Sequence, residues 1–441
     1  MNDASSSRSS NVFDVIVLGA GLSGLTAAAY AAREGASVLC LERTESVGGR
    51  ASTHESSGFR FNIGPHALYA DREADSVLRE LGVSYSGRRP PTSGGLAYDG
   101  GRLHTLPAGL VSLLTTSLLP LSGKLELARL LGAIGKVDAA SLRGRSVREW
   151  TRSALGNQGV RALLEALVRL TSYANHPERA DAGLHLAQLQ AGLATGVYYV
   201  DGGWRTLCEG LGRAAGESGA RIQCSARVRS VAQAPGGGWE VRTDESVYTG
   251  AAVVLALPPV AAASIVEGPS MAGLRATLQR LQPVKAACLD LGLSTLPNPR
   301  ALFALGIDRP LYFSVHSASA RLAPQGGATI HVARYLGATE EDPKAVEREL
   351  ETLCDSMQPG WRKLVVERRF LPAMMVTGAL CEVGSSRPAV DTEAARGLYL
   401  AGDWAGGEGM LADAAMASGR RAGRLAGRAC ALAQDRAARA A

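Results

Sequence analysis

Phe13-Asp14-Val15-Ile16-Val17-Leu18-Gly19-Ala20-Gly21-Leu22-Ser23-Gly24 is the stretch on which the fold turns. Its first six residues are mostly apolar and β-branched and stop abruptly at glycine, as a short buried parallel strand requires. Leu25 to Glu34 reads as a helix ending at Gly35, and Ser37-Val38-Leu39-Cys40-Leu41 as a second strand with Glu42 at its C-terminal end. Each glycine has its own task. Gly19 permits the tight strand-to-helix turn, Gly21 lets the backbone approach a pyrophosphate with no Cβ in the way, and Gly24 lets the helix pack close to the strand. Leu22 and Ser23 open the helix, whose free N–H groups and positive dipole end favour phosphate. Glu42, with Arg43 beside it, stands where a carboxylate accepts ribose hydroxyls. Glycines, flanking strand and helix, and an acid at this distance together specify a dinucleotide site.

The next residues narrow the choice of dinucleotide. In Val47-Gly48-Gly49-Arg50-Ala51, adjacent glycines let a loop fold against the cofactor, and Arg50 supplies charge-assisted hydrogen bonds. Gly58 to His66 reads as a short strand followed by a stiff turn at Gly64-Pro65. Far along the chain, Gly397-Leu398-Tyr399-Leu400-Ala401-Gly402-Asp403-Trp404 forms another strand ending in glycine and an acid, and an Ala-rich helix runs from Leu411 to Arg428. Two readings of Asp403 are open: a bond to a sugar-like chain of the cofactor, or a start signal for the helix.

With these motifs in place, residues 12–70 and 397–428 resemble the two signatures of the superfamily of flavin amine oxidases, protoporphyrinogen oxidases and phytoene desaturases, with the phytoene desaturase-like branch nearest. The resemblance also takes in Arg227-Val228-Arg229-Ser230-Val231, similar to a strand whose backbone contacts adenine, and Val253 to Pro259, similar to the strand that ends the central cofactor segment. It implies FAD as cofactor and an α/β fold: a Rossmann-like FAD-binding domain with a parallel sheet, plus a second α+β substrate domain made of inserts. The FAD-binding domain is expected over residues 12–70, 200–262 and 390–435, and the substrate-binding domain over 71–199 and 263–389. Helical periodicity at Leu125–Ile134 and Val160–Leu170, and strand character at 284–292, 312–316, 328–335 and 364–369, make the second domain a sheet flanked by helices.

Composition excludes other classes. The chain has 441 residues, 46% hydrophobic and 20% charged, a globular balance long enough for two cores. The net charge of +6 is spread over scattered arginines without a basic, aromatic-rich block, so no nucleic-acid partner is expected. Seven scattered cysteines with no Cys-x-x-Cys point away from disulfides and metal and suit a reducing cytoplasm. Residues 1–11 should be a loose tail. The apolar runs at Val12–Ala32 and Ala251–Val266 are interrupted by glycines and by Pro258-Pro259, so neither is expected to span a membrane. Leu106–Leu119 reads either as a buried helix or, as the resemblance implies, as a cover at the substrate mouth that touches membrane. Oligomeric state is not legible.

In such enzymes the flavin carries the hard step, and the protein orients the substrate. His66, in the segment that the resemblance places beside the flavin ring, is either an acid–base group or a satisfied turn residue. Lys285, in an apolar strand, either reaches the flavin through water, as a lysine does in related amine oxidases, or is solvated at an edge. Tyr173, His176, Tyr198 and Tyr199 are pocket or packing residues. No cysteine lies near the C-terminal signature, so non-covalent FAD is expected, and the aromatic pair that holds an amine is missing there, with only Trp404 present. The expected activity is oxidation or desaturation of a hydrophobic, isoprenoid- or carotenoid-like molecule by hydride transfer to flavin N5. The alternatives are an oxygen-using amine oxidase, a redox-neutral isomerase or dehydroxylase of an isoprenoid, and a non-catalytic flavin-binding protein.

Overall fold

The computed structural model describes residues 11–339 and 341–440, with side chains described through 432; all of the expected tail but Asn11 lies outside the described residues. The first strand (Val12–Leu18) is followed by the first helix (Leu22–Arg33) and the second strand (Val38–Leu41). The first strand pairs in parallel with both Val38–Leu41 and Val247–Leu255, and Ala220–Gln223 extends the parallel set beyond Val38–Leu41. Leu398–Leu400 adds in parallel to Val247–Leu255, so strands from widely separated stretches complete one seven-stranded sheet. Trp239–Thr243 and Val228–Gln233 continue it antiparallel.

The C-terminal helix (Leu411–Ala440) packs along the first helix through glycines spaced by four. A Cβ at Gly419, Gly423 or Gly427 would come within 2.4 Å of the Ser23 carbonyl oxygen, 2.3 Å of that of Ala27 and 2.9 Å of that of Ala31. Spacing by four places the three on one helix face, and absent side chains let the backbones meet. The Ala-rich composition of both helices is therefore a packing requirement, and it carries the C-terminal segment to the dinucleotide turn.

A second seven-stranded sheet runs in the order Val365–Thr377, Val284–Leu293, Ala328–Tyr335, Leu311–Val315, Phe303–Gly306, Leu96–Asp99, Arg102–Thr105. It is antiparallel except where Phe303–Gly306 meets Leu96–Asp99. The strand expected at 364–369 runs on to Thr377 through Pro372. It survives because it lies at the sheet edge, and the register breaks where Pro372 falls, between the Leu371 and Met374 pairings. Helices Leu121–Ala133, Gln158–Ser172 and Ala182–Thr195 form a layer with its own apolar core, capped at Asn157 and Asp181.

Candidate active site

A cavity of about 1470 Å³ runs from the turn after the first strand to a chamber between the second sheet and the helical layer. Its walls bring together Gly19, Gly21, Leu22, Ser23, Glu42, Arg43, Gly48, Gly49, Arg50, Pro65, His66, Val228, Gly402, Asp403 and Leu411. The volume exceeds the roughly 300–1,000 Å³ of a site for one drug-sized ligand, so it has room for a dinucleotide and a second molecule.

The turn fits a pyrophosphate. Gly21 N-caps the first helix with no side-chain cap, and a Cβ there would meet only the Gly48 carbonyl oxygen at 3.8 Å, so it would occupy open cavity. Uncapped first-turn N–H groups facing such space form an anion cradle. Gly24 lies behind the wall, where a Cβ would fall 1.7 Å from the Gly19 carbonyl oxygen. Glu42 is held rigidly: Oε2 accepts the Ala20 N–H at 2.9 Å, while Oε1 accepts the Thr44 N–H at 2.9 Å and its hydroxyl at 2.8 Å. By lone-pair count, Oε2 keeps room for one ribose hydroxyl.

Arg50 and Asp403 are partners across the cavity wall. Arg50 donates to Asp403 Oδ2 at 2.6 Å and to the Val376 carbonyl at 2.7 Å, and Gly378 N–H donates to Asp403 Oδ1 at 3.1 Å. The helix begins only at Leu411, so Asp403 does not start it; the acid of its first turn is Asp413. Leu411 enters that helix at φ +55, a conformation rare for a residue with a side chain. Asp413 also lines the cavity, and burial pushes its pKa up to about 6.

The two catalytic candidates part company. His66 lines the cavity, its Nδ1 3.1 Å from the Gly64 carbonyl oxygen and its ring edge-on to Trp204. Removal from bulk water lowers its pKa to about 4, so it is uncharged at neutral pH. Gly64 sits behind it at φ +73, and a Cβ there would strike Met374 at 2.3 Å. Lys285 corrects the expectation of a lysine near the flavin: its side chain is exposed, it is absent from the cavity wall, and its neighbours Val284 and Ala286 are the buried positions. Of the four pocket candidates, Tyr173 and Tyr199 line the cavity, whereas His176 and Tyr198 do not.

Apart from Tyr199, sequence reading missed the polar wall of the chamber. Tyr199, Tyr312 and Ser314 line it together, and behind them lie His316, His331, Asp290 and Arg369. The Asp290 carboxylate takes His331 Nδ1 at 2.5 Å, Arg369 Nε at 3.0 Å and the Cys288 thiol at 3.0 Å. Cys288, Asp290 and His331 hold ligand-type atoms within 4.8 Å of one another, but the Arg369 guanidinium already balances the carboxylate and opposes a cation. Tyr312, Ser314, Asp290, His331 and Arg369 come from strands that meet only in the second sheet, His316 from the turn after Leu311–Val315, and Tyr199 from a strand (Val197–Val200) of a separate three-stranded sheet, and no linear motif marks them.

The family model for flavin containing amine oxidoreductases matches residues 22–296. Among similar proteins, a limonene dehydrogenase component from Castellaniella defragrans is 57% identical over 56 residues, 13% of this chain and 10% of that protein. Carotenoid 3,4-desaturase of Haloarcula japonica is 56% identical over 52 residues, 12% of this chain and 10% of its own length. The matched stretch thus spans about a tenth of these curated relatives. An oxidoreductase from Methanosarcina mazei shares the fold, with a TM-score of 0.75 at 18% identity, covering 92% of this chain and 99% of that one.

Proposed function

The chain belongs to the flavin containing amine oxidoreductase family, which makes it a flavin-dependent oxidoreductase, and from that premise we propose that it oxidises or desaturates a hydrophobic, isoprenoid-like molecule with FAD held non-covalently. The observation that carries this reading is the continuity of the cavity. The same space that begins at the glycine turn ends among Leu127, Leu163, Leu167, Leu170, Leu189 and Phe303. When bound, the flavin ring supplies the hydride acceptor for C–H oxidation.

The chain's own residues bind and orient. The first helix and Gly21 hold the pyrophosphate, Glu42 a ribose hydroxyl, and the Arg50–Asp403 pair fixes the wall near Gly402. The leucine-lined chamber excludes water and aligns the substrate. His66, uncharged, is a hydrogen-bonding group near the junction and is not a proton donor at neutral pH. Among the described residues no cysteine lines the cavity, which supports non-covalent attachment. Acid precipitation should therefore release the flavin into the supernatant.

The mouth of the chamber carries an exposed apolar rim. Leu106, Pro107 and Ala108 line the cavity, and the next turns expose Leu110 at 74%, Val111 at 75% and Leu114 at 64%. The Leu106–Leu119 stretch is thus not a buried helix, although Leu113 and Leu119 are inside. We propose that this rim rests on a lipid surface, because Leu121 and Leu125 extend it and Lys124 and Arg129 flank it with positive charge. Among the described residues no helix is long and apolar enough to cross a membrane. Co-sedimentation with anionic vesicles, lost on the double change Leu110→Asp and Val111→Asp, checks this.

The function is tested by recording the flavin spectrum during anaerobic addition of isoprenoids and, separately, of small amines. Bleaching by the isoprenoids is expected. Bleaching by amines alone would overturn the proposal.

A further inference from the structure

We propose that the wall made by Tyr199, Tyr312 and Ser314 recognises an uncharged oxygen on the substrate, a hydroxyl or a carbonyl, so that the chamber favours neutral oxygenated molecules over bare hydrocarbons and amines. This rests on the reading that the chamber takes a hydrophobic substrate. All three side chains are buried from bulk water yet line the cavity. Their mutual contacts are long: Tyr199 Oη lies 3.3 Å from Tyr312 Oη and 3.3 Å from Ser314 Oγ. Hydroxyl pairs prefer about 2.7–2.8 Å, so these groups are only weakly spent on one another.

The hydroxyls form a row that ends on a histidine, Tyr312 Oη lying 3.2 Å from His316 Nε2. Hydroxyl rotors make such a row reversible. When Tyr312 donates to His316, Ser314 donates to Tyr199 and the wall keeps lone pairs for a substrate hydroxyl. When His316 donates instead, the row turns over and Ser314 offers its O–H to a substrate carbonyl. The wall therefore supplies either partner to an oxygen and nothing to a hydrocarbon.

The wall is also neutral and rigid. Burial raises the pKa of both phenols and lowers that of His316, so all three stay uncharged at neutral pH. An ammonium would find no counter-charge here, because the Asp290 carboxylate is bound to Arg369 and His331. Tyr199 stacks on His316 at 3.9 Å between centroids, and His316 sits edge-on to His331 at 4.5 Å. Asp290 fixes His331 through Nδ1, while His331 Nε2 and His316 Nδ1 are buried without hydrogen-bond partners. Unpaired buried nitrogens are costly, and here they sit in a layer that holds the hydroxyl row in place.

The test uses the flavin-loaded full chain and three probes of one carbon skeleton: farnesol, farnesene and farnesylamine. Binding is read from the perturbation of the flavin absorption band, in the wild type and in Tyr199→Phe, Tyr312→Phe and Ser314→Ala. Wild type should bind farnesol at least as tightly as farnesene, despite the hydroxyl's greater cost of leaving water, and farnesylamine least. The farnesol-to-farnesene affinity ratio should fall roughly tenfold in the phenylalanine variants, with farnesene affinity kept. Farnesene bound more tightly than farnesol by wild type, or a ratio unchanged in every variant that retains flavin, overturns this proposal and leaves the hydrophobic reading standing. Binding of neither neutral probe overturns both. Should the tyrosine variants fail to fold, the wild-type ranking and Ser314→Ala decide.

Discussion

The two ends of the cavity are built on opposite principles. At the glycine turn, the binding surface is backbone: Gly19, Gly21 and Gly24 contribute by lacking side chains, and they lie within six residues of one another. On the chamber wall, the surface is side chain: Tyr199, Tyr312, Ser314 and the ions behind them come from strands up to 170 positions apart, from Tyr199 to Arg369. A backbone site tolerates no added atom, whereas a side-chain site tolerates additions and fails when one partner of a pair is removed. The contrast predicts that damage at the first end shows as lost flavin and damage at the second as lost stability or altered substrate preference.

The largest effect should come from the second end. Asp290→Ala strands the Arg369 charge and the His331 donor inside the sheet, and should cost about 3–5 kcal/mol in chemical denaturation. A loss under about 1 kcal/mol would show that the buried ions are not mutually dependent. Next is Gly24→Ala. Its Cβ would meet a backbone oxygen that cannot move aside, so about 1–3 kcal/mol of overpacking strain and loss of copurifying flavin are expected. Unfolding midpoint and the ratio of flavin to protein absorbance read both at once.

Glu42→Ala should weaken FAD binding roughly tenfold to a hundredfold while leaving a folded protein, because it removes charge-assisted hydrogen bonds at the cradle. Full retention of tightly bound FAD would separate Glu42 from the ribose. The last effect is a pH slope. In the flavin-free protein the folded state holds His66 with a pKa of about 4 against an ordinary 6.5, so an unfolded chain binds the proton first. The stability that neutral His66 contributes is present above pH 6.5 and is lost as pH falls towards 4. His316 and His185 shift in the same direction. His66→Gln should therefore make the fall in thermal midpoint between these pH values shallower without abolishing it; an unchanged slope would remove His66 from the balance.

The same contrast explains what could be read in advance. The first strand, the glycine turn, the first helix and Glu42 are local, so residue order states their geometry directly, and the C-terminal strand and helix repeat the device. Lys285 was ambiguous because strand alternation tells which residues share a face but not which face meets the cavity. Asp403 was ambiguous because an acid before a helical pattern does not say where the helix begins; Leu411, at φ +55, sets that boundary. The extension of the edge strand through Pro372 escaped notice because proline ends a strand unless the sheet edge spares its missing donor.

By itself, then, the sequence determined the α/β class and the strand–glycine turn–helix geometry at Val12–Arg33, since each rests on local glycine geometry or periodic burial. Only the tertiary structure decided that Tyr199, Tyr312 and Ser314 share a wall, that Asp290 is shared by Arg369 and His331, and that Lys285 stands outside. Those relations depend on strand order and register between distant segments, and long-range pairing leaves no fixed spacing in a linear chain.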